Sequence, residues 1–302
     1  MPVFLCAAAQ IGYTPSDFQT FPGEIMDSLT LGSGQTLNFL HANGYPPRAY
    51  LPLLRRLAEN YQVQAPLQRP LWPGSEPKSF HDWNPLSEDF LRFLEESGQR
   101  APVMAVGHSM GGIAILRAAL RQPQRFRALI LLDPVLFPPA TIYAWRLIHF
   151  LGLGHRFHPL IGAAQKRRRE FDDLERLFRG YRRKATFRYL DDEALRAYVE
   201  AIACPNAAGG YRLCYSPEWE VKIYESGVSP DMELWRGLKT LKIPTLIVRG
   251  AETDTFLPAA ARRVQRLNPA IQIISVARST HLVPLEQPQA VAEAMRDFLA
   301  GL

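Results

Sequence analysis

The sequence predicts an α/β protein with a mostly parallel sheet, helices on both of its faces, and one long helical insertion. Three observations predict this. Short apolar runs alternate with segments of helical period from Tyr50 to Leu132. The alternation lapses after Asp133-Pro134, giving way to helical, aromatic and basic sequence, and resumes at Pro244-Thr245-Leu246-Ile247-Val248. It closes on a strand, Ile271 to Val276, and a helix with Val291, Met295, Phe298 and Leu302 at core-facing spacing. Strands separated by helices imply parallel pairing, because a parallel crossover needs a helix-sized connection.

Taken in order, two alternating segments, Ile25 to Leu31 and Gln35 to Leu40, flank Gly32-Ser33-Gly34 and predict a hairpin. Leu51, Leu54, Leu57 and Tyr61 then repeat at helical spacing, and Val63 to Leu67 reads as a strand. A loop rich in Pro, Trp and Gly precedes a helix over Ser87 to Glu96 and the apolar run Pro102 to Val106. A helix over Met110 to Arg121 and the run Ala128 to Leu132 complete the third unit. The predicted organisation is a core of residues 1–135 and 238–302 with an inserted cap over 136–237. Such a cap would lie over the sheet edge where ligands gather in open α/β folds.

Composition narrows the function. Hydrophobic residues make up 47% and charged residues 21% of the 302, and no apolar stretch is long enough to span a bilayer, so a soluble protein is expected. The apolar opening from Met1 to Ala7 has no basic region before it, and Cys6, Cys204 and Cys214 have neither metal spacing nor disulfide-framework density. Reduced thiols and a cytoplasmic location follow as expectations. The formal charge of +6 is concentrated: between Arg146 and Arg188 there are twelve Lys or Arg against four acids. There Phe171, Leu174, Phe178 and Tyr181 recur at helical spacing, with Arg168/Asp172, Arg169/Asp173 and Glu175/Arg179 four apart. That pattern predicts a solvated helix, with a basic rim for acidic substrates as the alternative reading, rather than a nucleic-acid surface.

Chemistry concentrates at Gly107-His108-Ser109-Met110-Gly111, a G-x-S-x-G pattern between an apolar strand and a helix. Small residues flank a serine that a sharp turn lifts clear of the sheet. Serine is a weak nucleophile at neutral pH and needs a base. His281, in the loop between the last strand and the last helix, is placed to provide one. The imidazole in turn needs a carboxylate near the end of a strand. Asp254, beyond Leu246-Ile247-Val248, is the first choice; Glu252 in the same loop and Asp133 at the end of the preceding strand are rivals. An oxyanion would be held by backbone N–H groups, one from Met110 and one from Tyr45 in the loop His41-Ala42-Asn43-Gly44-Tyr45-Pro46-Pro47.

The elbow Gly107-His108-Ser109-Met110-Gly111-Gly112, the loop Phe39 to Pro46 and His281-Leu282-Val283-Pro284 together resemble the lid-bearing α/β-hydrolase superfamily, in its bacterial esterase-like branch. The resemblance implies an α/β-hydrolase fold, a triad of Ser109, Asp254 and His281, a substrate pocket under the cap, and no cofactor or metal. It also implies hydrolysis of carboxylic esters of small molecules with an apolar part. Lactones, thioesters and carbon–carbon bonds fall to the same triad, and a non-catalytic ligand receptor is the reading from another class. Serine at the elbow excludes the aspartate-dependent dehalogenases and epoxide hydrolases of the superfamily. Three departures stand out: His-Ala-Asn-Gly-Tyr-Pro replaces the usual His-Gly-x-Pro, Asp254 lies four residues after Gly250 where three is usual, and Ser279 and Thr280 replace a glycine before the histidine.

Overall fold

The structure, a computed structural model, describes residues 18–19, 27–151, 159–227 and 231–302. Its centre is an eight-stranded sheet built from β1 (Phe18–Gln19), β2 (Ser28–Leu31), β3 (Thr36–Leu40), β4 (Gln62–Pro66), β5 (Val103–His108), β6 (Phe126–Leu132), β10 (Thr245–Gly250) and β11 (Gln272–Val276). The spatial order is β1-β2-β4-β3-β5-β6-β10-β11, antiparallel only at β1–β2 and β2–β4. Every residue of β5 and β10 is buried, as expected of parallel strands covered on both faces.

The core helices are α1 (Leu51–Ala58), α2 (Asn84–Glu96), α3 (Met110–Arg121), α10 (Pro258–Leu267), α11 (Val283–Glu286) and α12 (Pro288–Ala300). Side chains alternate across each strand. Met104, Val106, Leu246 and Val248 pack with α1 and α12 on one face. Val103, Ala105, Leu129 and Ile247 pack with α2, α3 and α10 on the other. Burying a Leu or Ile of this kind contributes roughly 1.5–3 kcal/mol, so the two faces together hold the sheet. Leu302, expected in the core, lies beyond the end of α12 and is exposed.

The predicted hairpin is corrected. β2 and β3 are not partners: β4 lies between them, antiparallel to β2 and parallel to β3. Alternation of polar and apolar residues encodes a strand but not its neighbour, and the β3–α1–β4 crossover claims the inner position. Ile25 lies outside the described residues.

Between β6 and β10 the chain forms α4 (Pro139–Phe150), α5 (Pro159–Gln165), α6 (Leu174–Arg182), α7 (Asp192–Ile202) and α8 (Pro217–Ser226), with a separate three-stranded sheet of β7 (Glu170–Phe171), β8 (Ala203–Pro205) and β9 (Tyr211–Leu213). These strands do not extend the central sheet, in keeping with the mainly helical insertion that the sequence predicts. α7 packs on the Pro47–Tyr50 turn and on α1, anchoring the insertion to the core. The next helix, α9 (Met232–Thr240), returns the chain along α3 and α10. Phe171 belongs to β7 rather than to the helix that its spacing suggested. Arg168 does pair with Asp172, but Arg169 turns to Glu218, and Glu175 pairs with Arg196. Cys204 and Cys214 form a disulfide joining β8 to β9, which corrects the expectation of reduced thiols for these two; Cys6 lies outside the described residues. Among the described residues, no helix is long and apolar enough to cross a membrane.

Candidate active site

The elbow is built by close packing. A Cβ on Gly107 would lie 2.4 Å from the Gly111 backbone, and one on Gly111 would lie 2.3 Å from the Leu40 carbonyl oxygen. With both positions bare, β5 can run directly into α3, and Ser109 takes φ 55°, ψ −116° between them. That left-handed φ is costly for a residue with a side chain. The Ser109 N–H holds on to the sheet by donating to the Leu132 carbonyl at 2.9 Å. Met110 is the first residue of α3, so its N–H has no acceptor within the helix.

The structure brings His281 to Ser109: Nε2 is 2.9 Å from Oγ. On the other side of the ring, Nδ1 is 3.0 Å from Oδ1 of Asp133. Asp254, the carboxylate favoured from sequence, is not on the histidine. It is exposed, and it accepts from the Thr255 hydroxyl, 3.2 Å away. The physical reason is the shape of the turn after β10. Gly250 N–H (2.8 Å), Thr253 Oγ1 (2.6 Å) and Phe256 N–H (3.4 Å) all donate to Asp133, folding the turn around that carboxylate and leaving Asp254 outside. Asp133 is fully buried, and a buried carboxylate without such donors would be strongly unfavourable. Glu252, the other rival, is held at the surface by Arg188 and the Tyr189 hydroxyl.

Tyr45, expected to donate to an oxyanion, instead closes a turn: its N–H donates to the Ala42 carbonyl at 3.2 Å. The Ala42 N–H is also engaged, by the Tyr50 hydroxyl at 3.1 Å. Asn43, between them, lines the same cavity as Ser109 and Met110. Its side-chain amide donates to the Glu220 carbonyl of the insertion, 3.1 Å away.

A second chain of hydrogen bonds ties the site loops together. His108 Nε2 lies 2.8 Å from the His281 carbonyl, which can only accept, so that nitrogen carries the proton. Nδ1 then accepts from the Tyr50 hydroxyl at 2.7 Å, and that oxygen accepts from Ala42. One fixed tautomer thus joins the elbow, the His281 loop and the loop after β3. Burial, reinforced by the nearby His281 ring, holds His108 well below the ordinary histidine pKa. Burial likewise lowers His41 to about 4. His41 and His108 both carried a sequence signal by flanking the loop and the serine; Tyr50 and Thr253 carried none.

Ser109 and His281 open on a cavity of about 510 Å³. Trp83, Val135, Phe137, Leu160 and Ile223 give it apolar walls, and Arg188 and Glu252 give it a polar edge. The Trp83 indole N–H donates to the Ile223 carbonyl at 3.1 Å, fixing α8 against the core. Trp219 and Trp235 are buried in packing. Among the described residues, no three His, Cys, Asp or Glu side chains gather as a metal site.

A mixed sheet with a serine at the turn after its central strand defines an α/β hydrolase. The model of the alpha/beta hydrolase family matches residues 39–294, and the chain belongs to that family. It is 24% identical over 277 residues to the uncharacterized hydrolase YugF of Bacillus subtilis, covering 88% of this chain and 90% of that protein. It is 22% identical over 268 residues to a 2-(acetamidomethylene)succinate hydrolase of Mesorhizobium japonicum, covering 89% of each. The crystal structure of an E-2-(acetamidomethylene)succinate hydrolase superposes with a TM-score of 0.71 at 21% identity, over 91% of this chain and 95% of that one. An esterase from Mycobacterium tuberculosis superposes with a TM-score of 0.70 at 20% identity, over 99% of this chain and 97% of that one.

Proposed function

We propose that the chain is a serine hydrolase that cleaves small carboxylic esters or related acyl compounds through an acyl-enzyme on Ser109. The observation that carries this is the continuous line from Ser109 Oγ through both ring nitrogens of His281 to Asp133, with bonds of 2.9 and 3.0 Å. In this reading His281 Nε2 takes the Ser109 proton as Oγ attacks the acyl carbon, then returns it to the leaving group. Asp133 takes the orienting role expected of Asp254: it fixes the Nδ1–H tautomer and stabilises the imidazolium as it forms. The oxyanion is held by the Met110 N–H and the Asn43 N–H, the latter in place of Tyr45. Water then attacks the acyl carbon with His281 again as base, releasing the acid.

The insertion, residues 136–237, acts as the cap. Phe137, Leu160 and Ile223 belong to it and supply apolar wall, which supports an acyl or alcohol part of apolar character. A volume of about 510 Å³ suits a small molecule rather than a polymer.

The test is a fluorophosphonate probe applied to wild type and Ser109→Ala, beside p-nitrophenyl esters of increasing chain length, lactones and thioesters. Labelling of wild type alone, with turnover of at least one acyl class, is expected. A folded wild-type protein whose serine does not label would overturn the proposal.

A further inference from the structure

The insertion carries a second cavity, of about 620 Å³, that shares no lining residue with the one around Ser109. Seven cationic side chains and two carboxylates, Asp172 and Asp173, line it. Concentrating like charge is unfavourable unless counter-charge answers it, and here the local acids answer only part. Arg167 is ion-paired with Glu220. Arg168 and Arg176 both lean on Asp172, at 3.7 and 2.8 Å. Asp173 caps α6 by accepting from the Arg176 N–H at 2.6 Å. That leaves Lys166, Arg179, Arg183 and Lys184, none of which has a carboxylate within ion-pair reach among the described residues.

The rest of the lining is mostly apolar, part of it buried. Phe171, Leu177 and Tyr181 contribute to it, with the Lys184 ammonium 4.1 Å from the centre of the Tyr181 ring and the Arg168 guanidinium 5.7 Å from that of Phe171. We propose that this cavity binds a small organic polyanion, a molecule carrying two or more phosphate groups beside an apolar or aromatic part. Guanidinium forks match phosphate oxygens, and ammonium groups answer the remaining charge. The concave shape and the volume, within the range of small-ligand sites, favour a compact molecule over a nucleic-acid strand or a lipid surface.

The test measures binding of tripolyphosphate and of ATP by calorimetry at low and moderate salt, with phosphatidylglycerol vesicles and a single-stranded oligonucleotide as further arms. Arg179→Glu/Arg183→Glu is compared with Arg262→Glu/Arg266→Glu, which makes the same charge change at exposed positions of α10, outside the cavity. The proposal expects saturable binding of both small probes, with ATP the tighter. It also expects a loss of about tenfold or more in the cavity variant and under about twofold in the control. Arg183→Gln/Lys184→Gln, a milder change, should fall between them. Ser109→Ala should bind like wild type, so the outcome is independent of the acyl-transfer chemistry. Absence of saturable binding at low salt, equal losses in the cavity and control variants, or preference for vesicles or oligonucleotide would each overturn it.

Discussion

The turns that follow β6 and β10 invite comparison, because each carries an aspartate close behind a buried parallel strand and both strands end beside His281. After β6 the chain turns at once, Asp133 adopts φ 41°, and its side chain is sealed among donors. After β10 the chain makes a wider turn that sends Thr253 inward and Asp254 outward. The difference teaches that closeness in sequence to a strand end does not select the partner of a histidine. What selects it is whether the backbone around the carboxylate can satisfy it once water has been removed.

The largest effect that would test this comparison comes from Asp133→Asn. It keeps the shape but presents the wrong hydrogen-bonding partner to Nδ1, and kcat is expected to fall by about 10³–10⁴, measured on whichever p-nitrophenyl ester is turned over. Collapse in Asp254→Asn with near-normal turnover in Asp133→Asn would return the role to the second turn.

Next comes the link between the turns. Thr253→Val removes the 2.6 Å hydroxyl donor to Asp133. A drop in kcat of about tenfold, with KM little changed and activity restored by Thr253→Ser, is expected if the hydroxyl positions the carboxylate. Equal loss in the Val and Ser variants would assign Thr253 to packing alone.

Burial also separates the histidines. His41 and His108 are held neutral in the fold, with pKa values depressed below those of the unfolded chain. The unfolded chain therefore binds more protons as pH falls from about 6.5 toward 4, so their contribution to stability is complete above that window and is lost on acidification through it. Denaturant melts at pH 7 and pH 5 should show a smaller pH-dependent loss in His108→Gln than in wild type; an identical loss would mean that His108 is not held neutral. The smallest effect belongs to Asp254→Asn, for which kcat and KM are expected to stay within about twofold of wild type.

Much of the fold was legible because β5, β6 and β10 are near-continuous apolar runs, which only a doubly covered sheet explains. Ser109 was legible because glycines mark a turn too tight for side chains, and His281 because it occupies the last strand-to-helix loop. The carboxylate was not, since the choice between Asp133 and Asp254 depends on which way Thr253 points, and that is settled by packing. The fate of Tyr45 was obscured in the same manner: the His41–Pro46 loop coils back on Ala42, whose carbonyl engages the Tyr45 N–H. The partner of β2 was hidden because its side-chain pattern suits either neighbour. Arg169 left its helical partner for Glu218 because β7 breaks the helix before Arg169 and Asp173 can share a face.

The Trp235 indole N–H donates to the Phe137 carbonyl at 2.9 Å, joining the points where the chain departs into the insertion and comes back from it. A segment whose ends are clasped in this way behaves as a side excursion. The entropic cost of closing it rises only with the logarithm of its length, so it can grow, shrink or be traded for another without disturbing the sheet that presents the serine. The same clasp marks where a laboratory transplant between relatives should be spliced.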